Sequence, residues 1–269
     1  MKKQQIIFKD LGLMDYQTAW DCQEKILKEN VRRKSLVFSQ ESGVSGERLT
    51  TNDSGLTTND SGLTTNDSGL TTNDSGLTTE HYLLFTEHPP VFTLGKSGNK
   101  ENVLLNDDEL KEKDIQFFNT NRGGDITFHG PGQIVGYPIL DLEKFYTDIG
   151  RYLRSLEEVI ILTMAAYGIR GERSPGETGV WIEPGVPGRE RKICAIGVRC
   201  SRWITMHGFA FNVNTDLTYF NHIIPCGIIN KQVTSLDKEL GYNQDIQEVK
   251  EKLKKNFENV FEAELIANS

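Results

Sequence analysis

The sequence predicts an α+β fold, in which helices flank a mixed β-sheet. Short segments rich in Ile, Val, Phe and Thr, separated by Gly and Pro, recur along the chain and indicate strands. Helical segments are fewer and do not alternate with the strands, which argues against a doubly wound fold. The predicted strands are residues 5–9, 81–87, 91–94, 115–119, 124–128, 133–140, 179–183, 192–200 and 206–213.

Three segments have the apolar spacing of helices. The first covers residues 16–33 and follows Asp15, which is placed to cap it. In the second, apolar residues recur every three or four positions from Ile149 to Tyr167, between Asp148 as the N-cap and Gly168 as the C-cap. The third covers residues 246–261, with its apolar side chains on one face.

A tandem repeat separates the first helix from the next strand. Leu-Thr-Thr-Asn-Asp-Ser-Gly occurs four times from Leu49 to Gly76. One Leu per seven residues does not make a coiled-coil seam, and the remaining residues favour turns. We therefore expect one domain, formed by residues 1–40 and 80–269, with a disordered insertion at residues 41–79.

Composition and charge exclude several classes of protein. A net charge of −8 argues against nucleic-acid binding, which favours a basic surface. No stretch approaches the ~18 consecutive apolar residues of a membrane helix. The first residues lack the long apolar run of a signal peptide. The sequence thus predicts a cytoplasmic protein without a membrane segment.

The glycine-rich segments do not form a nucleotide-binding motif. Gly95, Lys96 and Ser97 resemble the end of a phosphate-binding loop, but Pro90 stands where that motif needs glycine. Residues 130–136 contain one residue too many for a dinucleotide fingerprint. No nucleotide site is visible.

The four cysteines, Cys22, Cys194, Cys200 and Cys226, form no C-x-x-C pair. Neither a zinc knuckle nor a thioredoxin-type site is expected, and we predict no metal. The first three fit small buried hydrophobic residues. Cys226 lies between Pro225 and Gly227, where a rigid turn exposes a thiol as a nucleophile requires.

Two further segments leave alternatives open on their own. Residues 121–133 combine Arg122 and His129 with several glycines, which let the backbone approach a ligand closely. A tight hairpin with an exposed Arg and a buried His would also explain them. Lys192 opens an apolar strand, where a solvated lysine is the ordinary interpretation.

Together these segments resemble the lipoyl(octanoyl) transferase family, the LipB-type octanoyltransferases. Seven stretches match in the family's order: residues 88–95, 122–142, 179–181, 192–199, 206–214, 223–228 and 233–236. The resemblance covers most of the chain outside residues 41–79, and the long repeat departs from the family's pattern.

The resemblance implies a fold and a set of functional residues. The fold is that of biotin and lipoate protein ligases, a class II synthetase-like catalytic fold. Cys226 corresponds to the acyl-thioester nucleophile, and Lys192 to the lysine that favours its thiolate and acts as acid and base. The implied substrate-binding residues are Arg122, Gly123, Gly124, Asp125, Ile126, Thr127, Phe128, His129, Ala195, Ile196, Gly197, Gly208, Phe209 and Ala210.

The implied reaction moves an octanoyl group from acyl carrier protein to a lysine of a lipoyl domain. The acceptors would be the E2 subunits of 2-oxoacid dehydrogenases and the glycine cleavage H protein, and no cofactor is expected. Thioester-to-amide transfer is downhill, so ATP is not needed. Phe128, Tyr137, Phe209 and Phe211 are candidates for the walls of an apolar tunnel.

Two other functions are considered. An ATP-dependent lipoate–protein ligase has the same fold, but adenylate chemistry needs no nucleophilic thiol. A non-catalytic protein that binds a partner through the repeat would not need both Cys226 and Lys192.

Overall fold

The computed structural model describes residues 3–41, 78–224 and 232–267, with side chains as far as Val37 in the first stretch. Most of the predicted insertion, residues 42–77, lies outside the described residues. Cys226 lies outside them too.

The described strands form two sheets. Their bounds are β1 (Gln4–Leu13), β2 (His81–Glu87), β3 (Val91–Leu94), β4 (Gln116–Asn119), β5 (Ile126–His129), β6 (Gln133–Ile139), β7 (Val180–Ile182), β8 (Arg191–Ser201), β9 (Ile204–Asn212), β10 (Gln232–Val233) and β11 (Ala263–Ala267). Within the described residues, eight strands form a mixed sheet in the order β10-β8-β9-β6-β2-β1-β11, with β7 paired to β8. A smaller sheet has the order β4-β3-β5.

The helices are α1 (Tyr16–Glu41), α2 (Asp107–Glu112), α3 (Ile149–Ala165), α4 (Leu236–Leu240) and α5 (Ile246–Phe261). The α3 and α5 helices pack together over one face of the large sheet. The α1 helix packs on the other face, against β6 and β9. The mixed sheet with flanking helices confirms the predicted α+β fold.

The two predicted N-caps are present. The Asp148 carboxylate accepts a hydrogen bond from the Arg151 N–H at 2.9 Å, and the Asp15 carboxylate accepts one from the Thr18 N–H at 3.2 Å. The C-cap of α3 is Ala166 rather than the predicted Gly168, which follows two residues later in the left-handed region with a φ of +73°.

Several boundaries differ from the predicted ones. The α1 helix continues to Glu41 rather than ending at residue 33, and Lys34, the first residue of this extension, forms an ion pair with the buried Asp141 at 2.9 Å. The β1 strand continues to Leu13 along β2. The β5 strand begins at Ile126 rather than residue 124, because the backbone before it bonds to the loop after β3.

Four described elements were not predicted: α2, α4, β10 and β11. Two of them are very short helices and one is a two-residue strand. The β11 strand owes its existence to parallel pairing with β1, from the other end of the chain. Such long-range pairing leaves no local pattern.

We expect Phe257→Ala to destabilise the fold strongly. The Phe257 side chain is 0% exposed and stacks on Phe261 with ring centroids 4.3 Å apart. Loss of a buried aromatic ring costs about 3–5 kcal/mol in the free energy of unfolding. Urea denaturation measures this, with the exposed Asn259→Ala on the same helix as the control. A loss below about 1 kcal/mol would contradict the packing described here.

Candidate active site

A cavity of about 320 Å³ lies on the face of the large sheet that α1 partly covers. Its floor is formed by β6, β8 and β9, through residues such as Val135, Ala195 and Ala210. Its opposite wall comes from the segment before β5 and from Tyr16 at the start of α1. The two sheets therefore enclose the cavity between them.

Most of the predicted site residues line this cavity. The structure brings together Arg122, Gly124, Asp125, Ile126, Thr127, His129, Lys192, Ala195, Ile196, Gly197, Gly208, Phe209 and Ala210. They come from three separate stretches of sequence, and cross-strand pairing joins two of these. Ala195 pairs with Ala210, and Gly197 pairs with Gly208. Small side chains at these paired positions leave space above the sheet.

Three predicted residues that the structure describes do not line the cavity: the site residue Gly123, Phe128, which is predicted both as a site residue and as a tunnel wall, and the predicted tunnel wall Phe211. The Gly123 N–H donates to the Val198 carbonyl at 2.9 Å, so Gly123 lies against the edge of β8. The Phe128 ring points to the other side of β5, where it stacks on Tyr219 at 4.5 Å. Phe211 belongs to the core beneath the sheet. Side chains alternate along a strand, so the rings of Phe128 and Phe211 lie on the face opposite the side chains of Thr127 and Ala210, which line the cavity.

Of the predicted wall residues, Tyr137 and Phe209 line the cavity, although the Phe209 ring packs against Phe85 in the core beneath the sheet. Residues that the sequence analysis did not single out as site residues also line it: Tyr16, Gln133, Val135, Gly176, Glu177, Thr178, His207, Asn212, Phe220 and Val233. The sequence does indicate His207, which directly precedes Gly208 within the matched stretch 206–214. The others depend on how the sheets pack and have no local signal.

A β-bulge places Lys192 at the cavity. Val180 pairs with Cys194 but Trp181 pairs with Lys192, so β8 has one extra residue, Ile193, opposite β7. Side chains alternate along a strand, and one extra residue reverses the alternation. Lys192 and Ala195 are three positions apart, yet both line the cavity. The lysine is half-buried there rather than solvated at a strand end.

The described residues before and after Cys226 are held by a backbone hydrogen bond and by strand pairing. On one side, the Ile224 N–H donates to the Asn102 carbonyl at 2.8 Å. On the other, Val233 pairs with Lys192 in parallel register and lines the cavity.

Arg122 is held by the smaller sheet. It is 7% exposed, and its Nη2 donates to the Thr93 carbonyl at 2.6 Å and to the Thr93 Oγ1 at 2.9 Å. Its Nη1 donates to the Gly123 carbonyl at 3.0 Å. These bonds fix the guanidinium in the cavity wall.

Two histidines beside the cavity have fixed protons. The His88 Nδ1 lies 2.7 Å from the Met14 carbonyl and must donate to it, so its Nε2 accepts from the Tyr137 hydroxyl at 2.8 Å. The His129 Nδ1 lies 2.8 Å from the Gln133 Oε1. The Gln133 amide nitrogen donates to the Asn212 side chain, so its oxygen accepts and His129 donates.

His207 has a strained backbone within β9. Its φ is +59°, although it is not a glycine, and such strain is often stored at functional sites. The Gln23 side-chain oxygen accepts from its N–H at 3.0 Å, and its Nε2 lies 2.7 Å from the Asn121 Oδ1. Burial lowers the pKa of His207 to about 3, which keeps the ring neutral.

A buried carboxylate anchors the loop beside Lys192. Glu157 is 0% exposed and pairs with Arg154 at 2.6 Å and Arg173 at 3.0 Å. It also accepts a hydrogen bond from the Gly179 N–H at 3.0 Å. The loop that ends at Gly179 contributes residues 176–178 to the cavity wall.

The cysteines within the described residues are free thiols; Cys194 is buried as predicted, whereas Cys22 and Cys200 are less buried than predicted. Cys194 is fully buried, and burial raises the pKa of its thiol strongly. Cys22 and Cys200 are half-buried and do not line the cavity. In the part of the chain that the structure describes, no three potential metal ligands cluster, and no helix is long and apolar enough to cross a membrane.

Comparison with known proteins decides the family. A model of the lipoyl protein ligase A/B catalytic domain matches residues 66–258. An octanoyltransferase from Christiangramia forsetii is 51% identical over 258 residues, which is 96% of each chain. The chain belongs to the octanoyltransferases of this family. One from Flavobacterium johnsoniae is 63% identical over 177 residues, covering 65% of this chain and 76% of the relative.

Solved structures support the same fold. A lipoate-protein ligase A bound with ATP has a TM-score of 0.58 and is 12% identical, covering 100% of this chain and 90% of its own. The bipartite lipoate protein ligase of Thermoplasma acidophilum has a TM-score of 0.57 at 19% identity, covering 70% of this chain and 74% of its own. The sequence matches confirm the predicted family and the prediction that the protein is an acyltransferase. Neither the ligase nor the non-catalytic alternative is favoured.

We expect the stability of the fold to fall between pH 7 and pH 5. Burial lowers the pKa of His81 and His88 to about 4, from an ordinary 6.5. Below pH 6.5 the unfolded chain therefore binds more protons than the folded chain. The free energy of unfolding is highest above that pH and decreases toward the folded pKa values. Each of these two histidines should cost about 2 kcal/mol by pH 5.

Urea denaturation at the two pH values measures this loss. His81 lies outside the cavity, so His81→Asn should remove about 2 kcal/mol of the pH dependence without altering the site. Equal free energies of unfolding at pH 7 and pH 5 would show that these rings become protonated in the folded chain.

Proposed function

We propose that this protein transfers an octanoyl group from acyl carrier protein to a lysine of a lipoyl domain, through a thioester on Cys226. The observation that carries the proposal is the cavity, which joins a floor of small residues to the Lys192 side chain. That the transferred acyl group is octanoyl is inferred from membership of the octanoyltransferase family. The acceptors we propose are the E2 subunits of 2-oxoacid dehydrogenases and the glycine cleavage H protein, and we place the reaction in the cytoplasm.

The dimensions of the cavity suit an extended acyl chain. Gln133, Val135 and Tyr137 line it along one face of β6. Four steps along a strand span ~13 Å, enough for an extended chain of eight carbons. Lys192 lies beside β10 at one end, since Val233 pairs with it. At the other end, Arg122 lies close to Gly197.

The first half-reaction forms the acyl-enzyme. The Cys226 thiolate attacks the thioester carbonyl of the donor, and the carbon–sulfur bond to the phosphopantetheine thiol breaks. The departing thiolate takes a proton from the Lys192 ammonium. The products are the octanoyl thioester on Cys226, a free donor thiol and a neutral Lys192.

The second half-reaction restores the starting pair. The neutral amine of the acceptor lysine attacks the thioester carbonyl, and the Cys226 thiolate leaves. Lys192 takes the proton that the amine nitrogen loses, so the amide forms and Lys192 is again an ammonium. Burial keeps His88, His129 and His207 neutral, fixed partners hold their ring protons, and neither step uses them.

Intact-mass spectrometry of the protein with octanoyl-acyl carrier protein tests the proposal. We expect an octanoyl adduct that hydroxylamine removes, that Cys226→Ala abolishes and that forms about 10²–10⁴ times more slowly in Lys192→Ala. A protein that forms no adduct, and modifies a lipoyl domain only with ATP and free octanoate, would contradict the proposal in favour of a ligase.

We expect Ala195→Leu to discriminate against the octanoyl chain. Ala195 lines the cavity floor opposite Ala210, and three added carbons would occupy the path of the chain. Octanoyl transfer should fall about tenfold or more relative to butanoyl transfer. Competing the two donors in one reaction measures the ratio, and the butanoyl rate serves as the control for folding. An unchanged ratio would place the acyl chain elsewhere.

A further inference from the structure

The side chains of Trp181 and Lys192 form a direct cross-strand pair. The Lys192 Nζ lies over the Trp181 ring, 4.6 Å from its centroid, within the distance of a cation–π interaction. Trp181 is 2% exposed, so water screens this contact little. The bulge at Ile193 creates the pairing, because a regular register would place a different residue opposite Trp181.

The backbone around Lys192 is also tightly held. Its carbonyl accepts a hydrogen bond from the Thr234 N–H at 2.9 Å. On the side toward the loop, a Cβ on Gly179 would lie 2.5 Å from the Cys194 carbonyl oxygen and 3.5 Å from the Lys192 Cε. The end of the lysine stem therefore lies close to Gly179, while its ammonium lies over the indole ring.

A cation–π contact suits a lysine that transfers protons, because it orients the ammonium without taking a proton from it. Its side chain has four rotatable bonds, and proton transfer requires the nitrogen within about 3 Å of its partner. A carboxylate would hold the ammonium but would compete for its protons. An aromatic ring attracts the charge and accepts no proton in exchange, so the N–H groups stay available to a departing thiolate.

We propose that Trp181 is a positioning residue for Lys192, whose ring holds the ammonium at the point where it delivers a proton to the donor thiol. The inference rests on the proposed function, because it assigns Lys192 the acid and base role. Trp181 touches neither the acyl group nor the thioester in this account; it acts through the lysine.

Fluorinated tryptophans separate this role from simple packing. Successive fluorine atoms withdraw charge from the ring face and weaken cation–π attraction, while the ring keeps nearly the same shape. The experiment incorporates mono-, di- and trifluorotryptophan at position 181 of the full chain. It then measures the rate of octanoyl-thioester formation on Cys226 from octanoyl-acyl carrier protein, together with KM and Tm.

We expect the rate constant to fall stepwise with each fluorine, by about tenfold at trifluorotryptophan, while KM and Tm stay unchanged. The same series at Trp203 is the matched control, because Trp203 follows the opposite end of β8 and does not line the cavity. It should leave the rate constant unchanged. Trp181→Phe should fall between the native protein and Trp181→Leu.

Two results would overturn the inference. A flat series at position 181, with only Trp181→Leu slowed, would show that the ring merely fills space. An equal decline at Trp203 would show a general effect of fluorination. Absence of any octanoyl thioester on the unsubstituted protein is a different failure, since it overturns the proposed function on which the inference rests.

Discussion

The segment from Arg122 to Asp125 is bonded to both sheets, and the cavity exists because of that attachment. Its Gly123 N–H donates to Val198 of the large sheet at 2.9 Å, while the carbonyl of Gly124 accepts from Ser97, beyond β3, at 3.1 Å. The approach is close enough to exclude side chains. A Cβ on Gly197 would lie 2.7 Å from the Gly123 carbonyl oxygen, and one on Gly95 would lie 2.2 Å from that of Gly124. Glycine at these positions lets the sheets meet at one end and separate over the small residues beyond.

The remaining parts of the site follow from irregularities in an otherwise regular sheet. The bulge at Ile193 reverses the alternation of β8 and brings Lys192 to the same face as Ala195. The buried Glu157 holds the neighbouring loop through the Gly179 N–H. Polar groups around the cavity are thereby fixed before any acyl group arrives, as preorganised catalysis requires. We assign proton transfer to Lys192, which the bulge brings to the cavity.

Local patterns were sufficient for much of the fold. The strands His81–Glu87 and Val91–Leu94 and the helix Ile246–Phe261 have the predicted bounds, since apolar periodicity and flanking turn residues specify each one. Other features depend on contacts that no local pattern encodes. The strand Ala263–Ala267 exists through its pairing with β1, and the bulge at Ile193 depends on the register with β7. Family resemblance identified the stretches that line the cavity, but alternation along β5 turns Phe128 away from it.

In the proposed reaction, the octanoyl chain lies between the two sheets with its thioester end at Lys192. A crystal structure of the protein after reaction with octanoyl-acyl carrier protein would show where the chain lies. We expect an acyl chain that begins at Cys226 beside Lys192, passes over Ala195 and Ala210, and ends near Tyr137. An acylated Cys226 whose chain lies outside this cavity, or an acyl group attached to another residue, would show that the proposed placement is wrong.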